Sequence, residues 1–130
     1  MVRQMGLGKN IKISLIEDNS GDAYLIEEQL EELANFFYEI KNVGTLNEAL
    51  DVLNKQLFDV ILLDLVLPDS DGVNTFFSIH KENPSIPIIV LTELDDEAIG
   101  SYAVEKGAHD FFVKGQTEGG LLQSINTCSI

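Results

Sequence analysis

The sequence predicts an α/β domain: a doubly wound, five-stranded parallel sheet with five helices on its two faces. Two observations carry that prediction. Five short apolar runs alternate with helical patterns along 130 residues, a length that suits one domain and not two. Alternation on this scale demands right-handed crossovers between parallel strands, with helices on both sides of the sheet. The third and fourth runs are nearly continuous β-branched or leucine residues, as strands covered on both faces are. An open sheet of this kind orders its strands 2-1-3-4-5, and its ligands gather beyond the carboxyl ends of the strands.

The strands are expected at Ile11–Ile16, Tyr38–Val43, Asp59–Leu63, Pro87–Leu91 and Asp110–Val113. The second is the most polar and belongs at an edge. The first helix is expected from about Gly21 to Asn35, with Leu25, Ile26, Leu30 and Leu33 on one face at helical spacing. Thr45-Leu46-Asn47-Glu48 has the form of a capping box and opens the second, which buries Ala49, Leu50 and Leu53. The third carries Val73, Phe76, Phe77 and Ile79, with Pro84 in its exit loop. The fourth follows Asp95-Asp96, offers Ala98, Ile99, Tyr102, Ala103 and Val104 to the core, and stops at Gly107. The fifth begins near Glu118 and carries Leu121, Leu122 and Ile125.

Composition narrows the function. Hydrophobic residues make up 45% and charged residues 23% of the chain, ordinary for a packed core. No run approaches the ~18 apolar residues of a membrane span. Residues 1–10 (MVRQMGLGKN) lack the apolar stretch of a secretory signal and read as a flexible leader before a domain at 11–130. One cysteine, Cys128, and two distant histidines give neither an internal disulfide nor a zinc spacing, and a cytoplasmic location is expected. The net charge of −14 argues against nucleic acid or an anionic membrane as a direct partner. Its bland meaning is solubility; its sharper meaning is several carboxylates gathered on one cation.

The residues at the ends of the apolar runs favour the second meaning. Glu17-Asp18 come directly after the first strand, Asp64 ends the third, Thr92 the fourth and Lys114 the fifth. In the order 2-1-3-4-5 these strand ends are neighbours, so the side chains converge. Crowded carboxylates repel one another unless a cation is present. An all-oxygen site open to water and phosphate suits Mg²⁺. Asp64 then has the placement of an aspartyl nucleophile. A transferring phosphoryl group spreads charge over three oxygens, which the metal, the Lys114 ammonium and the Thr92 hydroxyl would share. Each residue also has a plainer reading: Asp64 as a turn residue, Glu17-Asp18 as a helix start, Thr92 as a helix cap, Lys114 as a solvated surface lysine.

These residues lie in IEDN (Ile16–Asn19), ILLDLVLPDSDG (Ile61–Gly72), VLTELDDE (Val90–Glu97) and GAHDFFVKG (Gly107–Gly115). From Ile11 to Ile125 the chain resembles the receiver domains of bacterial response regulators, and its fold is therefore expected to be flavodoxin/CheY-like. The resemblance implies that Asp64 accepts a phosphoryl group. It implies Mg²⁺ held directly by Asp18 and Asp64, with Glu17 acting mainly through water and the Val66 carbonyl as a further ligand. It makes Thr92 and Phe111 the switch residues and Lys114 the phosphate-binding lysine. It also implies a histidine kinase or histidine phosphotransfer protein as donor and a downstream protein or effector domain, with homodimerisation compatible. The face made by helix 4, strand 5 and helix 5 would change on phosphorylation. Such a domain is not a turnover enzyme; it transfers a phosphoryl group to itself and loses it.

Three positions depart from the family's commonest pattern. Glu93 stands where a small residue is usual, and would either repel an incoming phosphodonor or face solvent. Gly115 stands where a proline with a cis bond is usual; the Lys114–Gly115 bond is then trans, or cis under strain. Val66 and Leu94 are apolar and cannot orient an attacking water, so a long-lived phosphoryl state is expected. Competing readings are a phosphorylation-independent pseudo-receiver, or an aspartate-nucleophile phosphohydrolase. The latter needs an acid two residues past its nucleophile, where this chain has Val66. Nothing around His80 or His109 supports a phosphotransfer histidine.

Overall fold

The computed structural model describes residues 10–31, 37–115 and 120–128. Elements are numbered in chain order as β1 (Asn10–Ile16), α1 (Ser20–Leu30), β2 (Phe37–Val43), α2 (Leu46–Lys55), β3 (Val60–Asp64), α3 (Val73–Glu82), β4 (Ile88–Thr92), α4 (Glu97–Glu105), β5 (Asp110–Val113) and α5 (Gly120–Asn126). A small antiparallel ribbon pairs Val66 with Asp71 and Leu67 with Ser70 between β3 and α3. The five long strands form one parallel sheet in the order β2-β1-β3-β4-β5, which is the expected 2-1-3-4-5. The polar second strand is at an edge.

The sheet separates two apolar layers. Ile13, Leu15, Val60, Leu62, Ile89 and Leu91 meet Ala23, Ile26 and Leu30 of α1 and Leu121 and Ile125 of α5. Ile16, Ile61, Leu63, Ile88 and Val90 meet Ala49 and Leu53 of α2, Phe76 and Ile79 of α3, and Ala103 of α4. The alternation along β3 is the period of two that a strand imposes, and both of its faces are covered.

The helix ends obey their sequence signals. Asn19 caps α1 by accepting from Asp22 N at 2.8 Å. Thr45 Oγ1 accepts from Glu48 N at 3.1 Å, while the Glu48 carboxylate reaches back to Gly44 N at 3.0 Å, one residue further than a capping box prescribes. Gly107, at φ +124°, supplies the left-handed residue that ends α4.

Several expectations are corrected. Asn10, placed in the leader, begins β1; residues 1–9 lie outside the described residues, as do Leu33 and Asn35 of the expected first helix and Glu118 of the fifth. Leu25 is exposed, because the covered stripe of α1 runs through Ala23, Ile26 and Leu30. On α4 the side facing the sheet is Gly100 and Ala103, while Ala98, Ile99, Tyr102 and Val104 face outward.

Candidate functional site

β3 and β4 end on Asp64 and Thr92, while Glu17 and Lys114 come one residue after the ends of β1 and β5. Register brings these ends level: Ile16 lies beside Leu63, Asp64 beside Leu91 and Thr92 beside Val113. Glu17 (2% exposed), Asp64 (6%) and Thr92 (4%) are therefore buried. Together with Asp18, Val66 and Lys114 they line one cleft of about 350 Å³ at the carboxyl edge.

Carboxylate oxygens of Glu17, Asp18 and Asp64 lie within 4.8 Å of one another, close enough to share one cation. Backbone donors fix two of them: Val66 N donates to Asp64 Oδ1 at 3.0 Å, and Asn19 N to Glu17 Oε2 at 3.2 Å. Asn42 of β2 holds the turn from behind, donating to the carbonyls of Leu15 (2.9 Å) and Glu17 (3.2 Å). Lys114 Nζ donates to Glu17 Oε1 (3.1 Å), Asp22 Oδ2 (2.9 Å) and Asp64 Oδ2 (3.2 Å). A fourth carboxylate, Glu93, lies 3.2 Å from it.

The electrostatics come from this crowding. Burial, reinforced by the neighbouring Asp64, raises Glu17 from 4.5 to about 7, against the pull of Lys114. Burial alone would lower the Lys114 ammonium, but Asp22, Asp64 and Glu17 outweigh it and hold it charged far above its ordinary range. The Thr92 hydroxyl is buried and has no hydrogen-bond partner, an expensive condition for a polar group. Thr92 is not a helix cap either, because the 3₁₀ turn before α4 starts from Glu93.

The predicted residues thus converge, with one exception. Phe111 lies outside the cleft and packs its ring against α4 so closely that a Cβ at Gly100 would sit 2.7 Å from it. Among the described residues no peptide bond is cis, and Gly115 takes φ +93°. Two residues went unpredicted. Asp22 lies on the first turn of α1, where it reads as an ordinary acidic residue at a helix start, and only the fold sets it against Lys114. Asp69, at the tip of the ribbon, accepts from Leu46 N and Asn47 N at 2.8 and 3.0 Å, and these bonds hold its carboxyl below the ordinary range.

The response regulator receiver domain model matches residues 13–126. The chain belongs to that family. Similar proteins include the luminescence regulatory protein LuxO of Vibrio campbellii, 34% identical over 100 residues, which are 77% of this chain and 21% of that protein. Transcriptional regulatory protein ZraR of Escherichia coli is 26% identical over 105 residues, 81% of this chain and 23% of its own length. The receiver domain thus spans between a fifth and a quarter of these two relatives. Among solved structures, a response regulator receiver domain protein from Clostridium thermocellum superposes with a TM-score of 0.78 at 26% identity, covering 91% of this chain and 93% of that one. The receiver domain of sensor histidine kinase PA1611 from Pseudomonas aeruginosa has a TM-score of 0.77 at 25% identity, over 92% and 98%. That structure is described as holding a magnesium ion in its active site cleft. This chain is thus a receiver domain of two-component signalling, with an acidic cluster at the carboxyl edge of its sheet.

Proposed function

We propose that Asp64 accepts a phosphoryl group from a phosphohistidine in a Mg²⁺-dependent reaction. The observation that carries this is the buried Asp64 carboxylate, in contact with Lys114 and sharing its cleft with the unpartnered Thr92 hydroxyl. Glu17, Asp18 and Asp64, with the Val66 carbonyl, would hold the cation, which supplies charge neutralisation between the acceptor and the incoming phosphate. An Asp64 carboxylate oxygen forms the new P–O bond as the P–N bond to the donor imidazole breaks, and the imidazole leaves with the electron pair. Lys114 exchanges carboxylate contacts for a phosphoryl oxygen, and Thr92 donates its hydroxyl to another. Phe111 then moves with Thr92 and changes the surface of α4, β5 and α5, which a downstream protein, an effector domain or a second copy would read.

The apolar Val66 and Leu94 support a long-lived phosphoryl state, and the chain is read as having no turnover on small phosphate esters. The donor would be a histidine kinase or histidine phosphotransfer protein in the cytoplasm. Intact-mass measurement after acetyl phosphate and Mg²⁺ tests the reading. The expected result is one phosphoryl increment on the parent, lost in Asp64→Asn and lost when EDTA removes the metal. The Glu93–Lys114 contact favours the second reading, a module that works unphosphorylated; an unlabelled parent would select it.

A further inference from the structure

The segment that runs from the end of β2 into the first turn of α2 touches both loops that carry the acidic cluster, the first through Val43 and Gly44 and the second through Leu46 and Asn47. On one side Glu17 N donates to Val43 O at 2.9 Å. Next to it, Gly44 lies beside the acidic doublet, where a Cβ would make ordinary van der Waals contact with Asp18 Cα at 3.4 Å. On the other side Asp69, at the tip of the ribbon after Asp64, accepts from the successive amides of Leu46 and Asn47. The base of that ribbon is closed by Gly72 N donating to Leu65 O at 2.8 Å. The ribbon is thus pinned at its base by its own backbone and at its tip by α2.

We propose that Asp69 is a positioning residue for the cation site: by clasping the N-terminus of α2 it sets the separation between the Glu17–Asp18 loop and the Asp64–Val66 loop. Its carboxylate suits the task for two reasons. Two oxygens match two amides that have no partner inside the helix. The positive end of the helix favours an anion there, so the contact is charge-assisted. An amide in its place keeps one acceptor oxygen, and alanine keeps none. Sites of this kind depend on the groups that orient their ligands, and loss of one costs about tenfold or more in metal affinity. The inference rests on the Mg²⁺-dependent phosphoacceptor reading given above.

The test compares the full chain with Asp69→Ala, Asp69→Asn and Asp51→Asn. The last removes a charge from α2 at an exposed residue paired with Lys55. Each protein is titrated with MgCl₂ by calorimetry, melted without metal, and labelled with acetyl phosphate at limiting and saturating Mg²⁺. Asp69→Ala is expected to bind Mg²⁺ about tenfold more weakly and to recover the parent's labelling rate at saturation. Asp69→Asn falls between the two, and Asp51→Asn matches the parent. A lowered melting temperature with unchanged Mg²⁺ affinity would mean a structural role alone and overturns the proposal. Should the alanine variant not fold, Asp69→Asn decides by the same readout. A parent that binds no Mg²⁺ defeats the underlying reading and this inference together; equal Mg²⁺ dependence of a labelled parent and Asp69→Ala defeats this inference alone.

Discussion

Lys114 has carboxylates on four sides, so its ammonium cannot reach a phosphoryl oxygen without releasing at least one of them. Glu93 is the readiest to leave, since its side chain is 61% exposed and it approaches as an ion pair. It still places negative charge where negative charge must arrive. Neutralising it in Glu93→Gln should speed acetyl phosphate labelling by about fivefold, the scale of one partly screened charge; an unchanged rate would leave Glu93 a bystander. Glu17 brings a pH dependence. Its carboxyl is raised to about 7, above its unfolded value, so the metal-free fold is favoured at low pH and loses that advantage as pH climbs from 4.5 to about 7. The cation needs the deprotonated form. Mg²⁺ affinity should therefore rise about tenfold from pH 6 to 8 and then level off, as calorimetry at stepped pH would record; a flat profile would contradict the raised carboxyl.

At the scale of elements, α4 joins the site to Phe111. Gly100 is buried, and the Phe111 ring fills the space where a side chain would be. In an open helix alanine is favoured over glycine by about 1 kcal/mol, but overpacking costs about 1–3 kcal/mol. Gly100→Ala should thus lower stability by about 1 kcal/mol and displace the ring, seen as shifted Phe111 resonances; a stabilised variant with an unmoved ring would refute the packing. The same helix shows what sequence could not convey. Strands β3 and β4 were legible because burial on both faces demands unbroken apolar runs. The site was legible because those runs stop on Asp64 and Thr92. On α4 the large apolar residues Ile99, Tyr102 and Val104 face out and the inward positions are Gly100 and Ala103, so of the five residues that hydrophobic spacing offered only Ala103 faces the sheet. Asp69 reads as one more polar turn residue between Pro68 and Ser70, and only the fold brings α2 beside it.

Across the whole molecule, a net charge of −14 on 130 residues means that self-repulsion opposes the compact state. Raising NaCl from about 0.01 to about 1 M shortens the screening length roughly tenfold and should raise the thermal midpoint of the metal-free protein. A midpoint that falls instead would show that the Lys114 pairs outweigh the surface repulsion. The charges of the acidic cleft lie at one end of the strands, and the opposite end carries Leu57, 85% exposed, in the connection leading into β3. Five residues of β3 amount to about 17 Å between those ends. A dye or surface tether fixed at residue 57 would thus report on the molecule, or immobilise it, while leaving the mouth of the cleft at the carboxyl edge clear.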